Sequence, residues 1–239
     1  MRLDKLLSDM NLDSRSNLKK AIRKGNVTVN QSPVRDPAAP VFKEDRVTYF
    51  GRPVIYEEFQ YFMLNKPAGV LSATSDKRQK TVLDLLPKDR RTDLFPVGRL
   101  DKDTTGLLLI TNDGDMAHRL LAPKSHVDKV YEALVLGRVG SKEVEAFREG
   151  LVLDGDFTAA PAGLSVLSVE GDQSLVRITI HEGKFHQIKR MFEAVGMEVL
   201  TLKRLQMGSL VLDPKLSEGE ARRLDREEVF GLENDIGRI

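Results

Sequence analysis

The sequence predicts an α+β protein, and three observations carry that prediction. Segments with strand-like alternation and segments with helical spacing follow one another without the regular strand–helix–strand repeat of a parallel sheet. Two predicted strands, residues 163–169 and 175–181, pair through the turn Glu170-Gly171-Asp172, so a mixed and mainly antiparallel sheet is expected. A change of composition around residues 51–58, Gly51-Arg52-Pro53 followed by Glu57-Glu58, reads as a linker between a small first module (residues 1–58) and a larger second domain (residues 59–239).

The first module holds a helix after Ser14 or Ser16, either of which suits an N-cap. Leu18, Ala21 and Ile22 fall at helical spacing, and Gly25 suits the left-handed position that ends a helix. A turn and short strand follow at residues 25–30, with Val34 and Val47 continuing a small sheet. The second domain opens on the apolar run Tyr61-Phe62-Met63-Leu64, which stops at Asn65-Lys66-Pro67-Ala68-Gly69 because proline cannot donate to a sheet. Residues 81–86 form a short helical candidate before Pro87, 107–111 a strand, and 115–121 a helix stopped by Pro123. Residues 130–136 alternate as a strand, and 141–151 have helical spacing with Gly150 near the end. After the hairpin come a helix at 184–195 and a strand at 198–203.

Composition narrows the possible functions. With 239 residues, 41% hydrophobic and 31% charged, the chain is long enough for a proper core and ordinary for a soluble protein. No apolar run approaches membrane-spanning length, and Met1-Arg2-Leu3-Asp4-Lys5 lacks the pattern of a secretory signal, so a cytoplasmic protein without membrane contact is expected. The absence of cysteine excludes disulfides, thiolate metal sites and a cysteine nucleophile. His118, His126, His181 and His186 lack metal-ligand spacing, so no metal is expected, and no phosphate-binding loop or dinucleotide fingerprint is present.

Net charge is only +1, so affinity for a nucleic acid has to come from charge distribution. Between Ser14 and Arg35 the chain has Arg15, Lys19, Lys20, Arg23, Lys24 and Arg35 and no acid. Arg15, Lys19 and Arg23 lie four apart on one helix face beside Lys20 and Lys24. Most charge runs are simply solvated faces, but those usually intersperse both signs; the missing acids favour RNA or DNA contact.

The densest chemistry lies in Gly98-Arg99-Leu100-Asp101-Lys102-Asp103-Thr104-Thr105-Gly106, directly before the apolar strand. A carboxylate beside an arginine at the mouth of a buried sheet suits catalysis, although a turn tied by an ion pair has the same composition. Two later stretches bear on it. Lys129-Val130-Tyr131 puts a tyrosine on a strand, where a core aromatic is the competing reading. In Glu182-Gly183-Lys184-Phe185-His186-Gln187-Ile188-Lys189-Arg190-Met191-Phe192, the residues Ile188, Met191, Phe192 and Val195 make an apolar helix face. Lys184, Lys189 and Arg190 lie outside it near the helix start, a natural phosphate site.

Taken in order, Tyr61–Gly69, Gly98–Leu107 and Glu182–Met191 resemble the successive motifs of bacterial ribosomal RNA pseudouridine synthases. The opening Met1-Arg2-Leu3-Asp4-Lys5 and the basic helix resemble the RNA-binding module named after ribosomal protein S4 that commonly precedes this catalytic domain. The version Phe185-His186-Gln187-Ile188-Lys189-Arg190 is closer to the small-subunit (RsuA) type than to large-subunit members, which more often carry Arg-Gln-x-Arg-Arg there. The resemblance implies a small α/β RNA-binding module followed by a pseudouridine synthase domain, acting on small-subunit ribosomal RNA. A large-subunit enzyme and a non-catalytic ribosome-assembly protein are the alternatives.

An isomerisation needs no cofactor, and a monomer is the favoured state. By this resemblance Asp101 is the essential carboxylate, acting by covalent attack or by proton abstraction at the sugar. Tyr131 stacks on the target base, and Lys189 is the basic residue near the carboxylate. Lys184 and Arg190 contact RNA backbone, as do Arg15, Lys19, Lys20, Arg23 and Lys24. From the residues themselves, Arg99 is expected to pair with Asp101, and Asp103 to cap the turn at Thr104 or Thr105.

Overall fold

The computed structural model describes residues 1–153 and 157–237. Two compact units divide the chain: Met1–Gln60 with Leu86–Leu94, and Tyr61–Leu85 with Phe95–Ile239.

The first unit begins with helices α1 (Leu3–Asp9) and α2 (Arg15–Arg23). Ser14 caps α2, its hydroxyl accepting from the Asn17 N–H at 3.3 Å, and Gly25 follows with φ 78°. Leu18 and Ile22 are fully buried against Leu3, Leu6, Leu7, Val27 and Val47. Burying each such side chain contributes about 2 kcal/mol, and the arrangement turns the basic face of α2 outward. Strands β1 (Val27–Val29), β2 (Ser32–Pro33), β3 (Val47–Tyr49) and β4 (Arg52–Val54) form an antiparallel sheet in the order β2-β1-β3-β4. The start of the expected linker is therefore a strand. Pro53 is compatible because β4 is an edge, where a missing N–H costs no sheet hydrogen bond. Residues Leu86–Leu94 return to this unit through Arg91, which is buried and binds Asp93 at 2.7 Å, Asp9 at 3.3 Å and the Glu57 carbonyl at 2.8 Å.

The second unit is built on one mixed sheet. Its elements are β5 (Tyr61–Lys66), β6 (Phe95–Pro96), β7 (Thr105–Thr111), α3 (Gly114–Leu121), β8 (Lys129–Leu136) and α4 (Ser141–Glu149). A separate short pair, β9 (Leu151–Val152) with β10 (Thr158–Ala159), precedes the hairpin β11 (Gly163–Glu170) and β12 (Gln173–Ile180). Then come α5 (Gln187–Ala194), β13 (Glu198–Met207), β14 (Leu210–Val211), β15 (Ala221–Arg223) and α6 (Arg226–Asp235). The sheet order is β11-β12-β8-β13-β7-β5-β15, with β14 on β13 and β6 on β7, and only the β13–β7 pairing is parallel. The core beside β7 gathers Met63, Leu107, Leu109, Met116, Leu120, Met207 and Leu232.

Three local expectations change. The candidate helix at 81–86 is a single 3₁₀ turn, Val82–Leu85, whose start is tied by Asp84 accepting from the Thr81 N–H and hydroxyl. The helix expected from residue 184 begins at Gln187, because His186 has a left-handed backbone (φ 51°) that interrupts helical geometry. The strand expected to end at 203 runs on to Met207, its outer residues paired with both β8 and β14. No helix among the described residues is long and apolar enough to cross a membrane.

Candidate active site

Asp101 sits on a loop that two neighbouring segments clamp. Lys66, at the end of β5, is fully buried, and its ammonium donates to four carbonyls: Pro67 (3.1 Å), Asp101 (3.0 Å), Lys102 (3.2 Å) and Thr104 (2.9 Å). Burial pushes the Lys66 ammonium down to about 8, against the opposing pull of Asp103 and Asp101. Ser72 holds both backbone groups of Leu100, its hydroxyl donating to the carbonyl at 2.8 Å and accepting from the N–H at 3.1 Å. The Gly69 N–H donates to the Lys102 carbonyl at 2.7 Å. The first sequence motif thus holds the second in place.

Behind the loop, Gly106 (φ 96°) lies where β7 meets β13. A Cβ there would stand 2.2 Å from the Arg204 carbonyl oxygen, so any larger residue would push the two strands apart. Arg204 is buried, donates through Nε to the Leu107 carbonyl at 2.7 Å, and lies opposite Tyr131 in the β13–β8 register.

The carboxylate of Asp101 faces the start of α5. Oδ1 lies 3.5 Å from His186 Nε2 and Oδ2 lies 3.6 Å from Lys189 Nζ. Neither distance is a tight hydrogen bond. Lys189 makes its short contacts with Asp103 instead, at 2.7 and 2.8 Å, and that bond holds the Asp103 carboxyl below the usual carboxylate range. Asp103 is therefore a partner of Lys189, where a turn cap was expected. The consequence for Asp101 is chemical: positive charge stands nearby, yet among the described residues its lone pairs are not occupied by short hydrogen bonds.

The expected Arg99–Asp101 pair is not formed. Arg99 is exposed and makes no ion pair among the described residues. The turn closed by the Thr104 N–H on the Asp101 carbonyl takes the carboxylate to α5 instead.

A single solvent-open cleft brings together Arg99, Asp101, Tyr131, Lys184, His186 and Lys189. Tyr131 is 7% exposed, on the inward face of β8, and its hydroxyl makes no hydrogen bond to protein among the described residues. A purely structural tyrosine would bury its ring and satisfy its hydroxyl in the core; this one opens on the cleft. Lys184 is exposed on the segment before α5, and both Lys184 and Arg190 lie over the Phe157 ring, 5.7 and 5.6 Å from its centroid. Arg190 is not part of the cleft wall. Arg15, Lys19, Lys20, Arg23 and Lys24 belong to the first unit, all exposed, and none meets a carboxylate among the described residues.

Two residues of this site were not singled out from sequence. His186 falls inside the helix that the spacing predicts, although an aromatic–histidine pair directly before a basic helix face is a usable signal. Lys66 belongs to the segment where the sequence predicts the strand to stop; a lysine closing an apolar strand implies buried charge in need of carbonyl partners.

Comparison with known proteins identifies the family. The RNA pseudouridylate synthase family matches residues 60–194, and the S4 domain matches residues 1–47. The chain is 46% identical over 234 residues to the uncharacterized RNA pseudouridine synthase YtzG of Bacillus subtilis, covering 97% of this chain and 98% of the relative. It is 40% identical over 235 residues to ribosomal small subunit pseudouridine synthase A of Escherichia coli K12, covering 97% and 100%. A crystal structure of a pseudouridylate synthase superposes with a TM-score of 0.68 at 38% identity, covering 97% of this chain and 99% of that one. The chain belongs to the RNA pseudouridine synthase family, an enzyme with an S4 RNA-binding domain preceding a domain that converts uridine in RNA to pseudouridine.

Proposed function

We propose that the substrate is small-subunit ribosomal RNA and that Asp101 carries the chemistry. The observation that supports the site most is the convergence of Asp101, Tyr131 and Lys189 on one cleft from three separate stretches of sequence. The choice of small-subunit RNA is supported by the His186-Gln187-Ile188-Lys189-Arg190 form of the third motif and by the relative of that name.

The reaction breaks the bond between uracil N1 and the ribose C1′ and joins C1′ to C5. The proton on C5 leaves, N1 gains one, and there is no net change in atoms or electrons. Asp101, with unoccupied lone pairs, either adds to the sugar or takes a proton from it, leaving the base detached in the cleft. The Lys189 ammonium, 3.6 Å from Oδ2, offsets charge as it moves onto or off the carboxylate, and the His186 imidazole faces Oδ1. The Tyr131 ring holds the detached uracil, and its hydroxyl stands ready at C5. Extrusion of the uridine from its stack costs a few kcal/mol. Phosphate contacts by Arg15, Lys19, Lys20, Arg23 and Lys24, with Lys184 and Arg190 nearer the cleft, offset that cost. Arg99, at the rim, is a further phosphate contact.

The test is to incubate purified protein with small-subunit and large-subunit ribosomal RNA separately and map pseudouridine by carbodiimide modification and primer extension. A new site confined to small-subunit RNA is expected. Modification only of the large-subunit RNA would overturn the substrate assignment while leaving the chemistry in place.

A further inference from the structure

Phe185 is 77% exposed, unusual for a large apolar side chain, and its chain neighbours Lys184 and His186 both line the cleft. Its ring lies nearly flat on the imidazole of His186, with centroids 3.8 Å apart and planes 17° from parallel. One face of the phenyl is covered by this stack, so the exposure belongs to the other face and the edge. The segment carrying the pair is well tied. The Gln187 side chain accepts from the Lys184 N–H at 3.0 Å and donates to Glu182 at 2.7 Å, and Glu182 accepts from the Ala160 N–H at 2.9 Å. His186 occupies a left-handed backbone (φ 51°), a conformation that persists only where surrounding contacts impose it. From there its Nε2 reaches to 3.5 Å of Asp101 Oδ1. The fold therefore holds an aromatic ring in water, in a fixed orientation, one side chain away from the reactive carboxylate.

We infer that Phe185 and His186 form a stacking platform for a nucleobase adjacent to the target uridine, and that His186 links this platform to Asp101. The inference rests on the reading of the Asp101 cleft as the uridine site. When a uridine leaves its stack, the neighbouring base loses a stacking partner. The open face of Phe185 replaces that partner, giving a continuous order of base, phenyl and imidazole that ends on the carboxylate. Every base has a π-face, so such a platform selects an unpaired neighbour without reading its identity. Lys184 and Arg190, beside Phe157, bring positive charge to the backbone of the same nucleotides. His186 acts here as a positioning residue: a base settled on Phe185 fixes the imidazole, which in turn fixes Oδ1.

The experiment uses the full chain and the RNA that the wild-type enzyme modifies, with 2-aminopurine placed either 5′ or 3′ of the target uridine. Stacking should quench its fluorescence at one flank on binding to wild type, and Phe185→Ala should lose that quench. Phe185→Ala should also raise KM about 10-fold, within the range for loss of one base stack, with an unchanged salt slope. Phe185→Trp should restore both. His186→Ala should lower kcat more than it raises KM, whereas a merely structural histidine would shift thermal stability without this split. Unchanged quenching at both flanks and an unchanged KM in Phe185→Ala overturn the platform. If Asp101→Asn abolishes turnover in the same preparation, that failure is confined to the platform; if Asp101→Asn turns over normally, the reading of the cleft fails and takes the platform with it.

Discussion

The five cations of α2 and its C-cap (Arg15, Lys19, Lys20, Arg23 and Lys24) all face solvent without a carboxylate partner among the described residues, whereas Lys66 and Lys189 beside Asp101 in the second unit are engaged by the protein itself. Lys66 holds four carbonyls and Lys189 is forked by Asp103, so their charge sets local geometry in a partly water-excluded place. On α2 the same residue types are exposed, meet no carboxylate among the described residues and are screened by salt, as suits contact with a polyanion. The difference teaches that charge counts say little about role here. What distinguishes binding from positioning is whether the charge already has a partner in the folded chain.

The largest expected effect that would break this contrast is at Lys66. Lys66→Met removes the donor to four carbonyls of the Asp101 loop, and a displacement of about 1 Å at a reacting group costs about 100-fold in rate. Single-turnover kinetics should show kcat reduced by about that factor with RNA affinity within about twofold. An equal loss in affinity would mean that Lys66 belongs with the binding cations. Next in size is the triple variant Arg15→Ala, Lys19→Ala, Arg23→Ala. Its RNA affinity should fall about 10- to 100-fold, and its plot of log Kd against log salt should flatten by about 2. Rate at saturating RNA should be unchanged, and a lowered saturating rate would remove the separation of roles.

Asp103→Asn comes third. It weakens the grip on Lys189, which then moves onto Asp101 and occupies its lone pairs; a reduction in kcat of about 5-fold is expected. An unchanged rate would make the Lys189–Asp103 pair incidental. The smallest effect concerns stability. Burial, reinforced by Arg204, pushes Lys129 down to about 8, as burial does for Lys66. Between pH 8 and about 10.5 the unfolded chain then binds more protons at these lysines than the folded one, so their cost to folding diminishes as pH rises. Denaturation midpoints measured at pH 7.5 and pH 10 should rise more for wild type than for Lys129→Met; parallel changes would contradict the assignment.

Local pattern accounts for what sequence could deliver. Ser14, Gly25 and the spacing of Leu18 and Ile22 specify α2, because capping and periodicity are short-range properties. The alternation through residues 163–181 specifies the β11–β12 hairpin for the same reason. The return of Leu86–Leu94 to the first unit has no local signal, because Arg91 and Asp9 are 82 positions apart and no local period links them. Pro53 hid β4, since the residue that signals a linker is also tolerated on a sheet edge. At the site, the three stretches that meet in the cleft were legible as motifs. Of the partners of Asp101, Lys189 is legible through the family resemblance and His186 is not. A sequence places Arg99 two residues from Asp101, while the folded turn gives the carboxylate to His186 and Lys189, 85 and 88 positions away.

The most direct test of the division between the two units is Asp101→Asn, which keeps shape and removes the ionised carboxylate. RNA binding by filter retention and pseudouridine formation on the same substrate should be measured in parallel. The account predicts affinity within about twofold of wild type and turnover reduced about 10⁴-fold, as for loss of a catalytic nucleophile; turnover near the wild-type rate would contradict it.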